Sequence, residues 1–340
     1  MVRMVGIKDV ARQAGVSVGT VSNVINRPDL VSEETRDRVQ SVIKQLGYVR
    51  SESARQLRAG QSRIMALLVL DMGNPFFVDV ARGAESAARE AGLGVMLCNS
   101  GQSATEEATY VSLFAEQRVR GVLLTPADPT GASLDLLRQQ NVPFVLVDRG
   151  AGEADDGCSV SVDDTIGGAL AGRHLVSAGH RTIAYISGPP HLQQVKDRRA
   201  GMLQALAEAG LGPESLLEIP AQRLDVAAGR DAASRLLGLA QRPTAVFCAN
   251  DLLALGVLQV VYAAGIAVPR DLAIVGYDDI EFAAAAVVPL TSVRQPAAEM
   301  GRMAAELLLE ETGPRAAQHQ HQRAVLLPEL VVRGSSLPVR

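Results

Sequence analysis

The sequence predicts a small all-α head followed by a larger α/β core of two lobes. Three observations lead to this prediction. Residues 1–47 place their apolar side chains at helical spacing and contain no strand pattern. From Ile64 onward, short apolar runs alternate with helical segments, as they do in strand–helix–strand units. The alternation starts again after Asp163, so we expect two parallel sheets with helices on both faces.

The length and composition of the chain fit a globular protein of two or three domains. The chain has 340 residues, of which 47% are apolar, enough to form substantial cores. No segment is long and apolar enough to cross a membrane, and the N-terminus lacks the apolar stretch of a signal peptide. Cys98, Cys158 and Cys248 lie inside apolar runs, so we predict buried free thiols in a reducing compartment.

The first two predicted helices lie between Ile7 and Asn26, with a turn at Gly15 and Val16. Five apolar residues at helical spacing are predicted to form one buried stripe: Val10, Val18, Val21, Val24 and Ile25. The outward face of the second helix carries short residues, most of them polar: Ser17, Gly19, Thr20, Ser22 and Asn23. A helix that packs on one face and presents short hydrogen-bonding groups on the other can enter the DNA major groove. DNA reading is therefore our first functional hypothesis.

A third helix and a basic charge balance complete the predicted head. Ser32 is placed to cap this helix, Glu33 and Glu34 suit its dipole, and Gly47 ends it. Residues 1–60 hold ten basic and six acidic residues, a balance of +4, while the whole chain carries −4 and the remainder therefore −8. A basic head on an acidic core suits a head that contacts phosphate.

The segment YVRSESARQLRAGQSR after the head is basic and polar. Ser51 is placed to cap a short helix through Arg58, and Gly60 is placed to stop it. Such a segment cannot bury itself, so we predict either a flexible linker or a helix that forms only against a partner.

The core is predicted from its apolar runs, which read as buried parallel strands. The first set is IMALLVL, GVMLCN, GVLLT, PFVLVD and CSVSV, with helices predicted at Phe76–Ala91, Glu106–Gln117 and Ser133–Gln140. The second set is TIAYIS, LLEIP, TAVFCA and LAIVGY. In such sheets, ligands bind at the carboxyl ends of the strands, and between two lobes they bind in the cleft.

Polar residues follow several of these predicted strands. They are Asp71, Asp148, Arg149, Asn250, Asp251, Tyr277, Asp278 and Asp279, with Arg198 and Arg199 near the start of a further helix. Carboxylates, an amide and guanidinium groups in one cleft suit a polyhydroxylated ligand, because fixed donors and acceptors match neighbouring hydroxyls. For any single residue, a helix cap or a surface ion pair is an equally good interpretation.

These residues resemble those of the LacI/GalR (lac repressor) family of bacterial transcription factors. The resemblance covers essentially the whole chain and is carried by IKDVARQAGVSVGTVSNVIN, VSEETRDRVQSVIKQLGYV, ARQLR, NPFF, GHRTIAYISGP, DRRAG, ANDLLALG, GYDD and PLTSVRQP. It implies a helix-turn-helix head at 1–50, a hinge helix and linker at 51–62, and a core of two Rossmann-like lobes at 63–340, similar to type I periplasmic binding proteins. The expected N-lobe covers about 63–162 and 292–323, and the expected C-lobe covers about 163–291 and 324–340.

The resemblance also implies roles for the residues of the second helix. Thr20 and Ser22 match residues that hold backbone phosphates, and the base-reading positions fall on Val18, Gly19 and Asn23. Ser17 and Asn26 complete the expected DNA-binding face. A common family pattern has Ala at position 19 and Arg at 23. Because an Asn amide pairs best with adenine, we expect an operator that differs from the usual half-site where Asn23 faces it.

In the hinge, the resemblance implies that Leu57 enters the minor groove as an apolar wedge and that Arg55 and Arg58 meet phosphates. The alternative for Leu57 is a linker residue packed on the core. The chain has no terminal heptad segment, so we expect a homodimer that reads a palindromic operator, acting as a repressor in the bacterial cytoplasm at the nucleoid.

For the cleft, the resemblance carries effector contacts onto Phe76, Phe77, Asp148, Arg198, Asn250 and Asp278. The chain has no tryptophan, and Leu224 is expected where some relatives place one. Arg149 beside Arg198 leaves a sugar acid or sugar phosphate open as an alternative to a neutral sugar. We expect no cofactor.

Two other classes of function fit the sequence less well than DNA-binding regulation. For an enzyme, the only candidate glycine motif is Gly92-Leu93-Gly94, which lacks a third glycine and leads into a strand, and no P-loop or HExxH motif is present. His319-Gln320-His321 suggests a metal, but we expect these residues in an exposed polar loop without a third ligand, and so no metal. The second class is a solute-binding protein or sugar-sensing module without a regulatory DNA role. The fused head argues against it.

Overall fold

The computed structural model of the chain describes residues 5–48, 62–127, 131–150, 157–314 and 316–337. The chain divides after Ser62 into two compact units, a small N-terminal one and a large one. No helix of the described ranges is long and apolar enough to cross a membrane.

The small unit contains three α-helices, α1 (Ile7–Ala14), α2 (Val18–Asn26) and α3 (Glu33–Leu46), with a 3₁₀ turn at Pro28–Leu30. Gly15 and Gly47 end α1 and α3 in the left-handed conformation, as predicted, at φ values of 66° and 61°. The buried residues are small or β-branched, which allows short helices to approach closely: Val10, Ala11, Ala14, Val21, Val24, Val39 and Val42.

Two details of the head differ from the sequence-based prediction. Val18 was expected in the buried stripe, but its side chain is 40% exposed because it opens α2 on the outward side. Ser32 precedes α3, but its hydroxyl donates to the Thr35 hydroxyl at 3.0 Å and makes no bond to a backbone N–H.

The large unit contains two six-stranded sheets. Its strands are β1 (Ile64–Val69), β2 (Gly94–Asn99), β3 (Val122–Leu124), β4 (Phe144–Val147), β5 (Cys158–Val162), β6 (Ile183–Ser187), β7 (Leu216–Pro220), β8 (Ala245–Cys248), β9 (Ala273–Asp278), β10 (Thr291–Arg294), β11 (Arg323–Leu326) and β12 (Glu329–Val331). The first sheet has the order β11–β5–β4–β3–β1–β2 and is parallel throughout. The second has the order β12–β10–β9–β8–β6–β7, and only the β10–β12 pair is antiparallel.

Helices cover both sheets, as the two Rossmann-like lobes of the prediction require. They are α4 (Pro75–Glu90), α5 (Ala104–Glu116), α6 (Ala132–Gln139), α7 (Asp164–Ser177), α8 (Gln193–Glu208), α9 (Val226–Leu237), α10 (Asp251–Ala263), α11 (Glu281–Ala285) and α12 (Ala297–Glu311), with 3₁₀ turns at Pro213–Ser215 and Ala316–Gln318. The predicted helix at Glu106–Gln117 begins two residues earlier, because the Ser103 hydroxyl accepts a hydrogen bond from the Glu106 backbone N–H at 3.3 Å and caps α5.

The chain crosses between the two sheets three times. It enters the second sheet after β5, returns after β10 so that β11 pairs beside β5, and crosses again to β12. The predicted lobe boundaries at 291/292 and 323/324 each fall inside a strand. The strands place these crossings after Arg294 and after Leu326, because β10 and β11 each pair along their whole length within one sheet.

Helices α7 and α8 pack against each other through glycines. A Cβ on Gly168 would overlap the backbone carbonyl of Arg198, and a Cβ on Gly201 would overlap the Thr165 carbonyl. Side chains at these positions would force the helices apart. This close contact places the first turn of α7 beside the first two turns of α8. It thereby fixes Asp164 and Arg198, the two charged residues of the cleft described below.

Candidate functional site

The outward face of α2 is the first candidate site, and its polar residues fall into two groups. Ser17 and Thr20 bond to each other: Ser17 Oγ accepts from the Thr20 backbone N–H at 3.0 Å and lies 2.9 Å from Thr20 Oγ1. Asn26 Nδ2 donates to the Ser22 carbonyl at 2.8 Å and to its hydroxyl at 3.2 Å. These four side chains are therefore pre-oriented by local bonds.

Three exposed residues of this face take part in no side-chain hydrogen bond within the described residues. They are Val18, Gly19 and Asn23. A Cβ at position 19 would lie 3.5 Å from Ser17 Oγ, an ordinary contact, so the head itself does not require glycine there. The amide of Asn23 is free to pair with a base edge. The structure thus presents together the three positions expected to read bases.

The expected hinge contacts Arg55, Leu57 and Arg58 lie outside the described residues.

The second candidate site is a cavity between the two lobes of the large unit, at the carboxyl ends of the strands. Its empty volume is about 470 Å³ including the open mouth. Six of the seven expected effector contacts line it: Phe76, Phe77, Asp148, Arg198, Asn250 and Asp278. Arg149 is half-buried and is not among the lining residues.

Arg198 is held rigidly by three groups of the second lobe. Its Nε donates to Asp164 Oδ1 at 2.8 Å, and its Nη1 donates to the Ala249 carbonyl at 2.6 Å. The guanidinium carbon lies 3.7 Å from the centroid of the Tyr277 ring. The side chains of Arg198 and Asp164 are only 4% and 6% exposed, so the charge of Arg198 is neutralised by a buried partner.

Two further carboxyl groups, Asp148 and Asp278, face the same cavity and are almost completely buried. Burial, reinforced by the charge of Asp164, raises the pKa of Asp148 from 3.8 to about 8. Burial also raises the pKa of Asp278 from 3.8 to about 6, although the Arg198 charge opposes the shift. Both residues have positive φ angles, 59° and 105°, which aim their side chains into the cleft.

These carboxyl groups accept hydrogen bonds across the cleft. Gln194 of the second lobe donates to Asp148 of the first, at 2.6 Å to the carbonyl and 3.0 Å to Oδ2. Asn74 of the first lobe donates to Asp278 of the second at 2.9 Å, and Gln295, at the crossing after β10, donates to it at 2.8 Å. The two lobes are thus joined by amide–carboxyl bonds at the site itself.

Three buried oxygens of the cavity have no hydrogen-bond partner among the described residues. They are Asp148 Oδ1, Gln102 Oε1 and Gln295 Oε1. An unsatisfied buried polar atom is costly, so its presence in a cleft indicates a place where a ligand supplies the missing partner.

Other predicted cleft residues are structural. Asn250 caps α10, since its Oδ1 accepts from the Leu253 N–H at 3.0 Å, although it also lines the cavity. Asp251 accepts from the Ser292 hydroxyl at 2.7 Å and the Ile280 N–H at 2.9 Å. Asp279 pairs with Arg294 at 2.7 Å and Arg333 at 2.6 Å, and Arg199 with Glu218 at 2.7 Å.

Sequence reasoning missed the residues that complete the cavity. They are Asn74, Gln102, Gln194 and Gln295, which line the cavity, and Asp164, which holds Arg198. Asn74 and Gln295 belong to the motifs NPFF and PLTSVRQP, so those motifs were available signals. Asp164 carried no signal, because it is 34 residues from Arg198 and only the contact of α7 with α8 brings them together.

The expectation of an exposed histidine loop is wrong for His319. Its side chain is only 5% exposed, and its Nε2 lies 3.1 Å from Cys158 Sγ. The reason is that β11 pairs with β5, which brings the residues before β11 back over the first residue of β5.

Comparisons with known proteins agree for both units. The model for "Bacterial regulatory proteins, lacI family" matches residues 6–51, and that for "Periplasmic binding protein-like domain" matches residues 173–336. The HTH-type transcriptional repressor PurR of Photobacterium profundum is 35% identical over 98% of both chains. A lac repressor dimer bound to operator and the anti-inducer ONPF is 27% identical, with a TM-score of 0.84 over 98% of this chain and 100% of that chain. A LacI family transcriptional regulator from Enterococcus faecium with bound ribose is 30% identical, with a TM-score of 0.74 over 82% of this chain and 100% of that chain.

The raised pKa values of Asp148 and Asp278 predict a stability that falls with pH. Between about pH 4 and pH 8, the folded protein keeps protons on these carboxyls that the unfolded chain has lost. The unfolding free energy therefore decreases as the pH rises through this window. We expect Asp148→Asn to raise the melting temperature of the ligand-free protein at pH 8 and to flatten its decline between pH 6 and pH 8, as measured by circular dichroism.

The matched control is Glu208→Gln, on the surface, because the bond from Arg173 lowers the pKa of Glu208 to about 2, below this window. Its melting curve should run parallel to that of the wild type between pH 6 and pH 8. A decline in Asp148→Asn as steep as in the wild type would show that Asp148 is ionised throughout.

Proposed function

The chain belongs to the lacI family of bacterial regulatory proteins, and from this premise we propose that it is a homodimeric repressor that binds a palindromic operator and responds to a neutral sugar. As a family member it is a DNA-binding transcriptional regulator and not an enzyme. We place its action in the bacterial cytoplasm, on the nucleoid, where an operator is accessible.

The exposed face of α2 supports the operator-binding part of this proposal. Asn23 presents a free amide, which can make a bidentate pair with adenine N6 and N7. Gly19 lets the helix backbone approach the groove floor more closely than alanine would. A single head of three short helices has a small contact area, so two heads of a dimer reading an inverted repeat fit the proposal better than one.

The hinge roles remain part of the proposal. Leu57 would wedge into a central base step, and Arg55 and Arg58 would contact phosphates beside it. The lac repressor dimer bound to operator, which aligns over 98% of this chain, supports a shared mode of binding.

The single observation that carries the effector proposal is the set of three buried cavity oxygens without hydrogen-bond partners, on Asp148, Gln102 and Gln295. The amide oxygens of the two glutamines need a donor, while Asp148, protonated at neutral pH because of its raised pKa, needs an acceptor. A sugar hydroxyl can do both, whereas a carboxylate or phosphate oxygen only accepts a hydrogen bond. Phe76 and Phe77, whose rings meet edge to face at 5.0 Å, offer an apolar surface for the C–H face of a sugar.

The charge of the cavity favours a neutral ligand over a sugar acid or sugar phosphate. Arg198 is compensated by Asp164, and Arg149 does not line the cavity. Asp278, whose raised pKa of about 6 still leaves it mostly ionised at neutral pH, would repel an anion. The ribose bound to the regulator from Enterococcus faecium supports a small neutral sugar as the first candidate.

Ligand binding would act on the bonds that join the lobes. Hydroxyls entering beside Asp148 and Asp278 would share or replace the amide donors Gln194 and Asn74, which changes how the lobes meet. If the lobe arrangement is coupled to the heads, ligand binding changes the operator affinity by the same factor as operator binding changes the ligand affinity. The coupling can either strengthen or weaken both.

We expect Asn23→Arg to change the operator preference of the protein at one position of each half-site. The guanidinium reads guanine, so preference should move toward G·C by about 1–3 kcal/mol at that pair. The measurement is in vitro selection from a random library, followed by fluorescence anisotropy on both operators. Gln40→Arg, which adds the same charge on α3, is the control and should keep the wild-type preference. An unchanged preference in Asn23→Arg would remove Asn23 from the base-reading set.

We expect neutral sugars, with ribose tested first, to raise the melting temperature and to change operator affinity, while gluconate and ribose 5-phosphate do neither. Asparagine at position 102 tolerates the φ of 63°, but its shorter side chain moves the unpartnered amide oxygen away from the cavity. Gln102→Asn should therefore weaken sugar binding about 2- to 10-fold in calorimetry. The control is Gln140→Asn on the surface, which should bind like the wild type. Preference for an anionic ligand would contradict the neutral-sugar proposal.

A further inference from the structure

Four side chains with metal-binding atoms meet at the amino-terminal end of two strands of the first sheet, on the side away from the cleft. Cys158 is the first residue of β5, Glu311 is the last of α12, and His319 and His321 precede β11. One ligand atom from each of the four lies within 4.8 Å of the others. Because β5 and β11 are parallel neighbours, both strands start at the same end of the sheet. The cleft lies at the opposite end, where the strands finish.

The two sulfur–nitrogen distances in this cluster bracket those of a tetrahedral zinc site. Cys158 Sγ lies 3.1 Å from His319 Nε2 and 3.7 Å from His321 Nδ1. Ligand atoms of a tetrahedral zinc ion, with Zn–N near 2.0 Å and Zn–S near 2.3 Å, stand about 3.3–3.6 Å apart. The two imidazole rings meet edge to face at 81° with centroids 5.5 Å apart, and one nitrogen of each ring lies near Cys158 Sγ.

A simple thiol–imidazole hydrogen bond explains only part of this arrangement. A thiol can donate its proton to only one ring, so the second ring could meet the same sulfur only by donating its own N–H to a weak acceptor. The Gln322 backbone N–H also points at Cys158 Sγ, at 3.3 Å, which suits a thiolate. An ion among the four groups satisfies both rings and the sulfur at once.

The surroundings of His319 also fit a metal ligand. Its Nε2 faces the sulfur, and its Nδ1 faces the Glu310 carboxylate, with Oε2 3.6 Å away. Metal-binding histidines commonly direct their second ring nitrogen to a carboxylate, which fixes the ring orientation. Cys158 is buried and His321 is exposed, so the cluster is closed on one side and open to an entering ion on the other.

We propose that Cys158, Glu311, His319 and His321 form a binding site for a divalent transition metal of the zinc class. A thiolate with two imidazoles favours zinc, cobalt or nickel over magnesium and calcium, which prefer oxygen ligands. Four protein ligands form a closed structural site. On binding, the Cys158 S–H bond breaks, its proton passes to solvent, and an Sγ–metal bond forms, while both imidazoles bind as neutral rings.

The position of the site gives it a structural role. The metal would tie the loop between α12 and β11 to the start of β5. The β11 strand is the sheet edge from which the chain crosses to β12 in the second lobe. Metal binding would therefore stabilise the folded core by mass action, independently of the sugar cavity.

The test is titration of the full-length, chelator-treated protein with cobalt(II), which reports a thiolate ligand by its sulfur-to-cobalt charge-transfer absorption. We expect this band to appear, to saturate at one equivalent, and to disappear when zinc is added. Cys158→Ser should abolish the band, while Cys98→Ser, at the other edge of the same sheet, should keep it. Absence of the band in the folded wild type, or its persistence in Cys158→Ser, would overturn the site.

An exposed ligand keeps the test independent of folding. His321→Ala should melt like the wild type without metal, but it should bind zinc at least about 10-fold more weakly in competition with a chromophoric chelator. His191→Ala, an exposed histidine of another loop, is the control and should bind zinc like the wild type. Equal zinc affinity in both variants would reject the four-residue site.

Discussion

The buried ion pair between Arg198 and Asp164 is the interaction on which the cleft depends. A guanidinium in the protein interior stays charged, so it is stable only with a desolvated partner and further acceptors. Asp164, the Ala249 carbonyl and the face of Tyr277 supply these. The glycine contact between α7 and α8 makes the pairing possible, because it brings the first turn of one helix against the other. Because Asp164 compensates its charge, Arg198 gives the cavity a fixed guanidinium but no net positive charge that would attract anions.

The remaining properties of the cavity follow from this compensation. Asp148 and Asp278 share a low-dielectric space with a cation that is already paired, so their pKa values stay above the ordinary range of aspartate. They accept amide hydrogen bonds from across the cleft, which makes the lobe–lobe contact and the ligand contact the same set of atoms. This overlap is the physical basis of our proposal that a ligand acts on domain geometry. The unpartnered oxygens of Gln102, Asp148 and Gln295 define the hydrogen bonds that the proposed ligand has to make.

Local patterns predicted much of the fold and less of the sites. The runs IMALLVL and TAVFCA contain β1 and β8, because strands buried on both faces read as continuous apolar segments. The six expected effector contacts that line the cavity were predicted from strand ends and the family resemblance, and their contact with an effector stays a prediction. Asp164 and the burial of His319 were missed, since both depend on the pairing of elements far apart in sequence. Val18 was misplaced because the first residue of a helix has no preceding turn to cover it.

The most direct measurement of the central claim is a double-mutant cycle on the buried pair, using Asp164→Asn, Arg198→Met and the combined variant in urea unfolding of the ligand-free protein. Each single change leaves a buried polar group without its partner and should cost about 3–5 kcal/mol. The combined variant should cost at least about 1.5 kcal/mol less than the sum of the two. Costs that add to within about 0.5 kcal/mol would show that Arg198 and Asp164 act independently and that the cleft is not organised around their pairing.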